Sequence, residues 1–303
     1  MTQLVDDQLL SLYLRTGESL GSGQLYTSGC WYVRLCQAVL SATERDGTLH
    51  GVGSQGSIGE LRQQLDRVEL DGDAPAVLAF TSGTAGSPKP AILSHAALSV
   101  NIEQQKASAE DRVRADDVTL GVAPLSHIMG LNSVLSSSLS VGASTLLIER
   151  FDPVLALESM QKHGVTVAVG PPTMWSSWLN LPDLPADVFA SVRIAVSGAA
   201  RLPEKVSRAF EERFGVRLWE GYGLTEAAPV VCSSYGTDAP HGSVGIPVPG
   251  LEVRLVDRDG GDVLIGDPGE LLVRGPNVFS GYLAGPGPTA DAPAGAGGLP
   301  TGA

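Results

Sequence analysis

Long apolar runs are missing from this chain: no window reaches the ~18 uninterrupted apolar residues that a membrane-crossing helix requires. The N-terminus carries Asp6 and Asp7 and no basic stretch, so it lacks the layout of a secretory signal, and a soluble cytoplasmic protein is the expectation. Cysteine is scarce. The three residues Cys30, Cys36 and Cys232 are odd in number and lack metal-ligand spacing, which argues for ordinary reduced thiols against a disulfide framework or a zinc site. Positive charge is short too, with 20 Lys and Arg against 33 Asp and Glu and a net charge of −13. Broad nucleic-acid binding needs a basic face to meet the phosphates, so no nucleic-acid partner is expected, although a local anion site stays open. The five histidines are scattered and no G-x-S-x-G elbow occurs, which leaves zinc-enzyme and hydrolase readings without positive support.

What is present is enough apolar material for a sizeable core, 43% of 303 residues. Residues 1–75 form a poorly readable N-terminal segment, with helix candidates at 9–14 and 31–40 and a polar, loop-like stretch over 47–59. From Ala76 short apolar runs alternate with amphipathic stretches, the signal of β-α-β units on a largely parallel sheet. Strands are expected at 77–81, 118–122, 144–148, 165–169, 193–196 and 217–219. The clearest helix covers 203–214: Pro203 suits a first helical position, Val206, Phe210 and Phe214 recur every four residues, and Gly215 can cap the end. A second covers 153–163, with Leu155 and Met160 on its apolar side and Gly164 behind it. After Gly250 the period becomes two, with Val253, Leu255, Leu271 and Val273 flanking the turn Asp259-Gly260-Gly261, as in an antiparallel hairpin. From 285 to 303 the chain is nearly all Gly, Ala and Pro, a tail with too little apolar surface to hold one conformation. The organisation is therefore an α/β protein: an N-terminal segment 1–75, a β-α-β core over 76–249, a β-hairpin subdomain over 250–284 and the tail over 285–303.

Two stretches carry chemistry. Thr81-Ser82-Gly83-Thr84-Ala85-Gly86-Ser87-Pro88-Lys89 follows an expected strand and precedes a helix that Ser94 could cap. Its small residues let backbone N–H groups approach phosphate oxygens, its hydroxyls add donors and Lys89 supplies a mobile cation. It is not a Walker A loop, because Pro90 stands where a magnesium-holding hydroxyl would be. Glu220-Gly221-Tyr222-Gly223-Leu224-Thr225-Glu226 directly follows the last expected parallel strand, where α/β sheets place their ligand sites. There Tyr222 could stack on a base, Thr225 could donate to a phosphate and Glu226 could hold magnesium. Each stretch also has a bland alternative, a Ser/Gly/Pro surface loop for the first and a Gly-rich turn with a solvated Glu for the second. A third spelling, Gly51-Val52-Gly53-Ser54-Gln55-Gly56, fits a dinucleotide loop but follows no strand.

In this order and about 140 residues apart, the two stretches resemble the signature pair of the adenylate-forming superfamily, which includes acyl-CoA synthetases, luciferases and peptide-synthetase adenylation domains. Pro124-Leu125-Ser126-His127 with Gly130 resembles its acyl-pocket motif and Ser197-Gly198-Ala199-Ala200 its adenine-side loop. Gly242 to Pro247, Gly269 to Gly275 and Ser280-Gly281-Tyr282-Leu283 resemble later segments, so that the likeness covers roughly residues 74–283. It implies the fold of the large N-terminal domain of acyl-activating enzymes and a two-step reaction. A carboxylate, expected to be that of a fatty or other apolar acid, attacks the α-phosphate of ATP, and CoA then takes the acyl group from the adenylate. By the same resemblance Thr81, Ser82, Gly83, Thr84, Ala85, Gly86, Ser87 and Lys89 hold the β- and γ-phosphates. Gly198, Ala199, Ala200 and the turn Gly221, Tyr222, Gly223 hold the adenine, Thr225 meets the α-phosphate, Glu226 ligates Mg²⁺ and His127 lines the acyl pocket. Thr84, Lys89, Thr225 and Glu226 are the catalytic candidates.

The resemblance has departures. Where the family has Thr-Gly-Asp, with a carboxylate on the ribose, this chain reads Thr301-Gly302-Ala303, and the family's small C-terminal domain with its catalytic lysine is not matched. Losing each such transition-state contact costs ~10²–10³ in rate, so adenylation by the chain alone is expected to be impaired. Pro90, where the family has Gly, fixes φ and deletes a backbone donor. The alternatives left open are a non-catalytic nucleotide- or partner-binding chain, an acyl-AMP ligase feeding a carrier protein, a separate C-terminal domain acting in trans, and self-association.

Overall fold

The computed structural model describes residues 71–81, 89–148, 150–284, 287–288 and 298–302. Residues 82–88, the centre of the hydroxyl-rich loop, lie outside them, as do the expectations placed on 1–70, including the helix candidates, the Gly51 spelling, Cys30 and Cys36.

The strand expected at 77–81 forms as β1 (Pro75–Thr81), but not in the parallel sheet. It pairs antiparallel with β2 (Lys89–Ser94), which sets Thr81 opposite Lys89. The sequence reading missed β2, and burial explains it: Ala91 and Leu93 are wholly buried with Ala79 and Leu98, which requires residues after the loop to return alongside β1. Ser94 then caps α1 (His95–Ala107), its Oγ accepting from the backbone N–H of Ala97 at 3.1 Å.

The core follows as β3 (Val118–Gly121), a π-helical stretch over Met129–Ser136 that runs into α2 (Ser137–Ser140), β4 (Ser144–Leu147), α3 (Pro153–His163), β5 (Val167–Gly170), α4 (Pro172–Leu179), β6 (Ile194–Ser197), α5 (Glu204–Phe214) and β7 (Trp219–Gly223), then β8 (Val230–Ser233) and β9 (Ile246–Pro247). These strands make a seven-stranded sheet in the order β4-β3-β5-β6-β7-β8-β9. It is parallel through β7 and antiparallel beyond it. The expectation at 217–219 needs correction, because the strand is Trp219–Gly223 and holds the Glu220–Gly223 part of the motif within itself. Its glycines hide it from a propensity reading.

Strand alternation separates the two faces of the sheet. Ala168 of β5 and Ala195 of β6 point into a core with Trp175, Trp178, Phe189, Phe210 and Phe214. Trp175 and Phe210 meet edge-on at 5.4 Å, and Phe189 and Phe214 at 5.0 Å. Val167, Val169, Ile194 and Val196 face the opposite side. Helix α5 starts after Pro203 and stops at Gly215, whose φ of 68° is the left-handed value that glycine adopts freely. Helix α3 is capped by Asp152, which accepts from the N–H groups of Val154 and Leu155 at 2.9 and 3.0 Å. Leu155 was expected on its inner side but is 61% exposed; Ala156, Leu157 and Met160 are the buried residues.

Near the C-terminus β10 (Glu252–Val256) and β11 (Glu270–Arg274) form the expected hairpin, with Val253 opposite Val273 and Leu255 opposite Leu271. A short pair, β12 (Leu283–Ala284) and β13 (Gly287–Pro288), follows. The expectation of an unstructured tail is corrected at its end: β14 (Leu299–Pro300) is the third strand beside β11, and Leu299 is buried. Leu299 is the one large apolar side chain of that stretch, and burying it offsets the ordering cost that Gly, Ala and Pro cannot.

Candidate active site

The C-terminal ends of β5, β6 and β7 bring the motif residues together. At the end of β6, Gly198 donates its N–H to Gly170 O at 3.2 Å, and Ala199 is held at a φ of 65°. Beyond β7, Thr225–Ala227 forms a tight turn. Three wholly buried amides clamp it. Asn132 donates to Ala228 O at 2.6 Å, Asn277 donates to Ala227 O at 2.7 Å, and Asn101 donates to Val230 O at 2.8 Å. Glu226 is thus carried on backbone tied to α1, to the π-helical stretch and to the segment before β12. Gly223 is required here, since a Cβ would stand 2.2 Å from Pro229 O.

The two signature stretches meet at Tyr282. Its hydroxyl donates to Glu226 Oε1 at 2.5 Å, and Lys89 Nζ lies over its ring, 5.5 Å from the centroid. Burial, the hydrogen bond and the Glu226 charge together push the Tyr282 phenol well above its usual value, so it remains a donor. Backbone contacts lock the arrangement: Phe279 N–H donates to Glu226 O at 2.7 Å, and Ile92 N–H donates to Gly281 O at 2.9 Å.

A cleft of about 210 Å³ opens beside this junction, lined by His127, Gly198, Ala199, Gly221, Tyr222, Gly223 and Thr225. A second, of about 390 Å³, lies between Pro124, Phe151, Thr173 and Ser177 and shares His127, Met129 and Ala199 with the first. His127 therefore stands at the wall between them. Burial lowers its pKa, and its Nδ1 accepts from the Met129 N–H at 3.1 Å, which makes it a neutral imidazole with the proton on Nε2 near pH 7. Gly130 lets this segment close, because a Cβ would fall 2.4 Å from Pro124 O.

The structure thus gathers His127, Gly198, Ala199, Gly221, Tyr222, Gly223 and Thr225 on one cleft, with Lys89 and Glu226 joined through Tyr282. Ala200 is exposed and lines neither cleft, and Thr81 sits at the end of β1, its Oγ1 donating to Lys89 O at 3.3 Å. Ser82, Gly83, Thr84, Ala85, Gly86 and Ser87 lie outside the described residues. Sequence reasoning missed Tyr282 as a site residue although its segment was in view, and missed the amide clamp, for which a single sequence carries no signal. Glu220, the first residue of that stretch, is a buried brace: its carboxylate accepts from the N–H groups of Gly242 at 3.1 Å and Leu202 at 3.4 Å, and burial raises its pKa.

The fit to nucleotide chemistry can be judged from these groups. Ser197 Oγ, buried at the β6 terminus, has no hydrogen-bond partner among the described residues. Among the described residues no three His, Cys, Asp or Glu side chains cluster as a metal cage. One carboxylate plus phosphate oxygens is how Mg²⁺ is ordinarily held on a nucleotide, and Glu226 fits that pattern. A Ser207–His241–Glu211 chain, with contacts of 2.7 and 3.0 Å, has the hydrogen-bond order of a hydrolase triad, but Ser207 is 1% exposed and lines neither cleft.

Comparison with known proteins bears on the family and the fold. Residues 33–283 match the AMP-binding enzyme family, starting ahead of residue 74, where the resemblance becomes legible. The chain is similar to a long-chain-fatty-acid–CoA ligase of Bacillus subtilis, 35% identical over 218 residues, 71% of this chain and 39% of that protein. It is equally similar to 4-coumarate–CoA ligase 1 of Arabidopsis thaliana, 35% identical over 241 residues, 77% of this chain and 43% of that one. Among solved structures, ATP-bound MatB from Rhodopseudomonas palustris superposes with a TM-score of 0.67 at 31% identity, covering 75% of this chain and 46% of that one. The chain spans less than half the length of each of these relatives.

Proposed function

The chain belongs to the AMP-binding enzyme family, and from that premise we propose that it activates a carboxylic acid with ATP and passes the acyl group to CoA. In the first step a carboxylate oxygen of the acid bonds to the α-phosphorus while the bond to the β-phosphate oxygen breaks, releasing pyrophosphate. In the second the thiol sulfur of CoA bonds to the acyl carbon, its proton is lost and AMP departs.

Each residue has a task in that scheme. Lys89, at the start of β2, offsets the charge of the terminal phosphates. Thr225 donates to the α-phosphate, and Tyr222 with Gly198 and Ala199 holds the adenine. Glu226 would hold Mg²⁺, which when bound supplies charge neutralisation at the phosphates. One of its oxygens accepts from Tyr282, and the other has no hydrogen bond among the described residues. His127, neutral and at the wall between the clefts, lines the path of the acid. Relatives named for long-chain fatty acids and for 4-coumarate stand at the same 35% identity, so both fatty and aromatic acids fall within the proposal.

The observation that carries this reading is the junction at Tyr282, which joins the cation after one signature stretch to the carboxylate of the other beside the cleft. Pyrophosphate release and acyl-hydroxamate formation, measured on the full chain with ATP, Mg²⁺ and a panel of acids, test it. Turnover that needs both the acid and ATP is expected. A folded sample with no turnover on any acid overturns the catalytic reading.

A further inference from the structure

Resting on that reading of the cleft, we propose that the acid carries a second carboxylate at the end remote from the reacting one, and that Arg112 receives it. The cleft has two ends. Gly198, Thr225 and His127 lie at the C-terminal edge of the sheet; from there the lining passes Val169 and Val196, then Val167 and Ile194, and reaches Val113 and Arg112. The Arg112 guanidinium reaches Ser233 on β8, two strands across from β6, and a strand spacing of about 4.8 Å puts it on the order of 10 Å from the β6 end. The four strand residues along the way are valines and an isoleucine, which suit a hydrocarbon body and cannot bond a polar one.

The far end differs. Arg112 is largely withdrawn from water. Its guanidinium lies 4.8 Å from the Tyr235 ring centroid and donates to Ser233 Oγ at 3.0 Å and to Ser108 Oγ. Its Nε is buried without a hydrogen-bond partner, and among the described residues no Asp or Glu makes an ion pair with it. Burial pulls its pKa down to about 10, which reports the strain of keeping the charge there. Ser133, which also lines the cleft, has a buried Oγ without a partner. By contrast Arg193 is fully matched by Asp117, and Lys106, which also lines the cleft, pairs with Glu103 at 3.0 Å. A partly buried cation held only by hydroxyls and a ring lacks a counter-charge, and a carboxylate is the partner whose two oxygens can accept from a guanidinium in two-pronged geometry.

Suberic, octanoic and ω-hydroxyoctanoic acids separate the possibilities, with kcat/KM for pyrophosphate release measured on the wild-type chain and on Arg112→Met and Arg112→Lys. A charged acceptor at Arg112 should favour suberate over octanoate by about 10- to 100-fold. Arg112→Met should remove that preference while keeping octanoate turnover, and Arg112→Lys should keep part of it. Equal use of the two acids by the wild type, an equal loss of both acids in Arg112→Met, or preference for the hydroxy acid overturns the assignment. Binding of the suberoyl and octanoyl sulfamoyl-adenosines, followed by calorimetry, gives a readout independent of turnover. If both bind equally, this inference fails alone; if neither binds, the proposed function fails and takes this inference with it.

Discussion

Replacing Asp117 by Asn should weaken the fold without touching the nucleotide end of the sheet. The Asp117 carboxylate, 4% exposed, accepts from Arg193 Nε at 2.9 Å, Thr166 Oγ1 at 2.7 Å and the Arg114 backbone N–H at 2.6 Å, and it pairs with a second guanidinium nitrogen of Arg193. Thr166 and Arg193 immediately precede β5 and β6, so one side chain ties three adjacent strands at their N-terminal ends. Asn keeps one acceptor but turns an NH₂ toward existing donors and leaves the guanidinium without its counter-charge. Breaking a buried pair costs about 3–5 kcal/mol, and the lower end, about 3 kcal/mol, applies because Arg193 keeps 23% exposure and still donates to Arg112 O at 2.8 Å. For a domain of this size that is a fall in Tm of roughly 6–12 °C, read by calorimetry. The pH dependence follows from the depressed carboxylate. Burial alone would raise its pKa, but the hydrogen bonds from Arg193 and Thr166 outweigh that and lower it. The stabilisation is therefore complete above the unfolded value near 3.9 and fades as pH drops through the lower folded value. The wild-type advantage should be constant from about pH 5 to 8 and shrink below about pH 4. A variant as stable as the wild type at neutral pH, or a difference that persists unchanged at pH 3, would refute this reasoning.

Phe210→Ala, which empties the centre of the ring cluster with Trp175, Phe189 and Phe214, should cost about 3–5 kcal/mol in chemical denaturation while leaving ATP affinity in the folded fraction unchanged. Gly130→Ala drives a methyl to 2.4 Å from Pro124 O and displaces the His127 segment, so activity should fall by at least about 10²-fold, seen in pyrophosphate release, with a smaller loss in nucleotide binding. The His127 imidazole, lowered by burial, should titrate below about 6.5 when followed by NMR, and a value above that would contradict its placement between the clefts.

Much of the fold was legible because its signals are local. The apolar runs at 118–122, 144–148, 165–169 and 193–196 become β3 to β6 with edges shifted by two residues or fewer, and Gly164 and Gly215 end α3 and α5 as their spelling suggests. What escaped depends on partners distant in sequence. β2 exists because Ala91 and Leu93 find α1 and β1, and Leu299 orders the chain's end because Val273 lies opposite it. In the site the Gly- and hydroxyl-rich spellings were visible, whereas the roles of Tyr282, Asn132 and Asn277 arise from packing across fifty residues or more, and a lone Arg112 gives no hint of its burial until Tyr235 is folded against it. Surface arginine and buried arginine read alike in one sequence.

Titrating the full chain with Mg·ATP by calorimetry, beside Lys89→Ala and Glu226→Ala, addresses the nucleotide site most directly. The junction at Tyr282 predicts saturable binding by the wild type, about tenfold or greater weakening in each variant, and a loss of the magnesium dependence in Glu226→Ala alone. Wild-type affinity retained by both variants would contradict it.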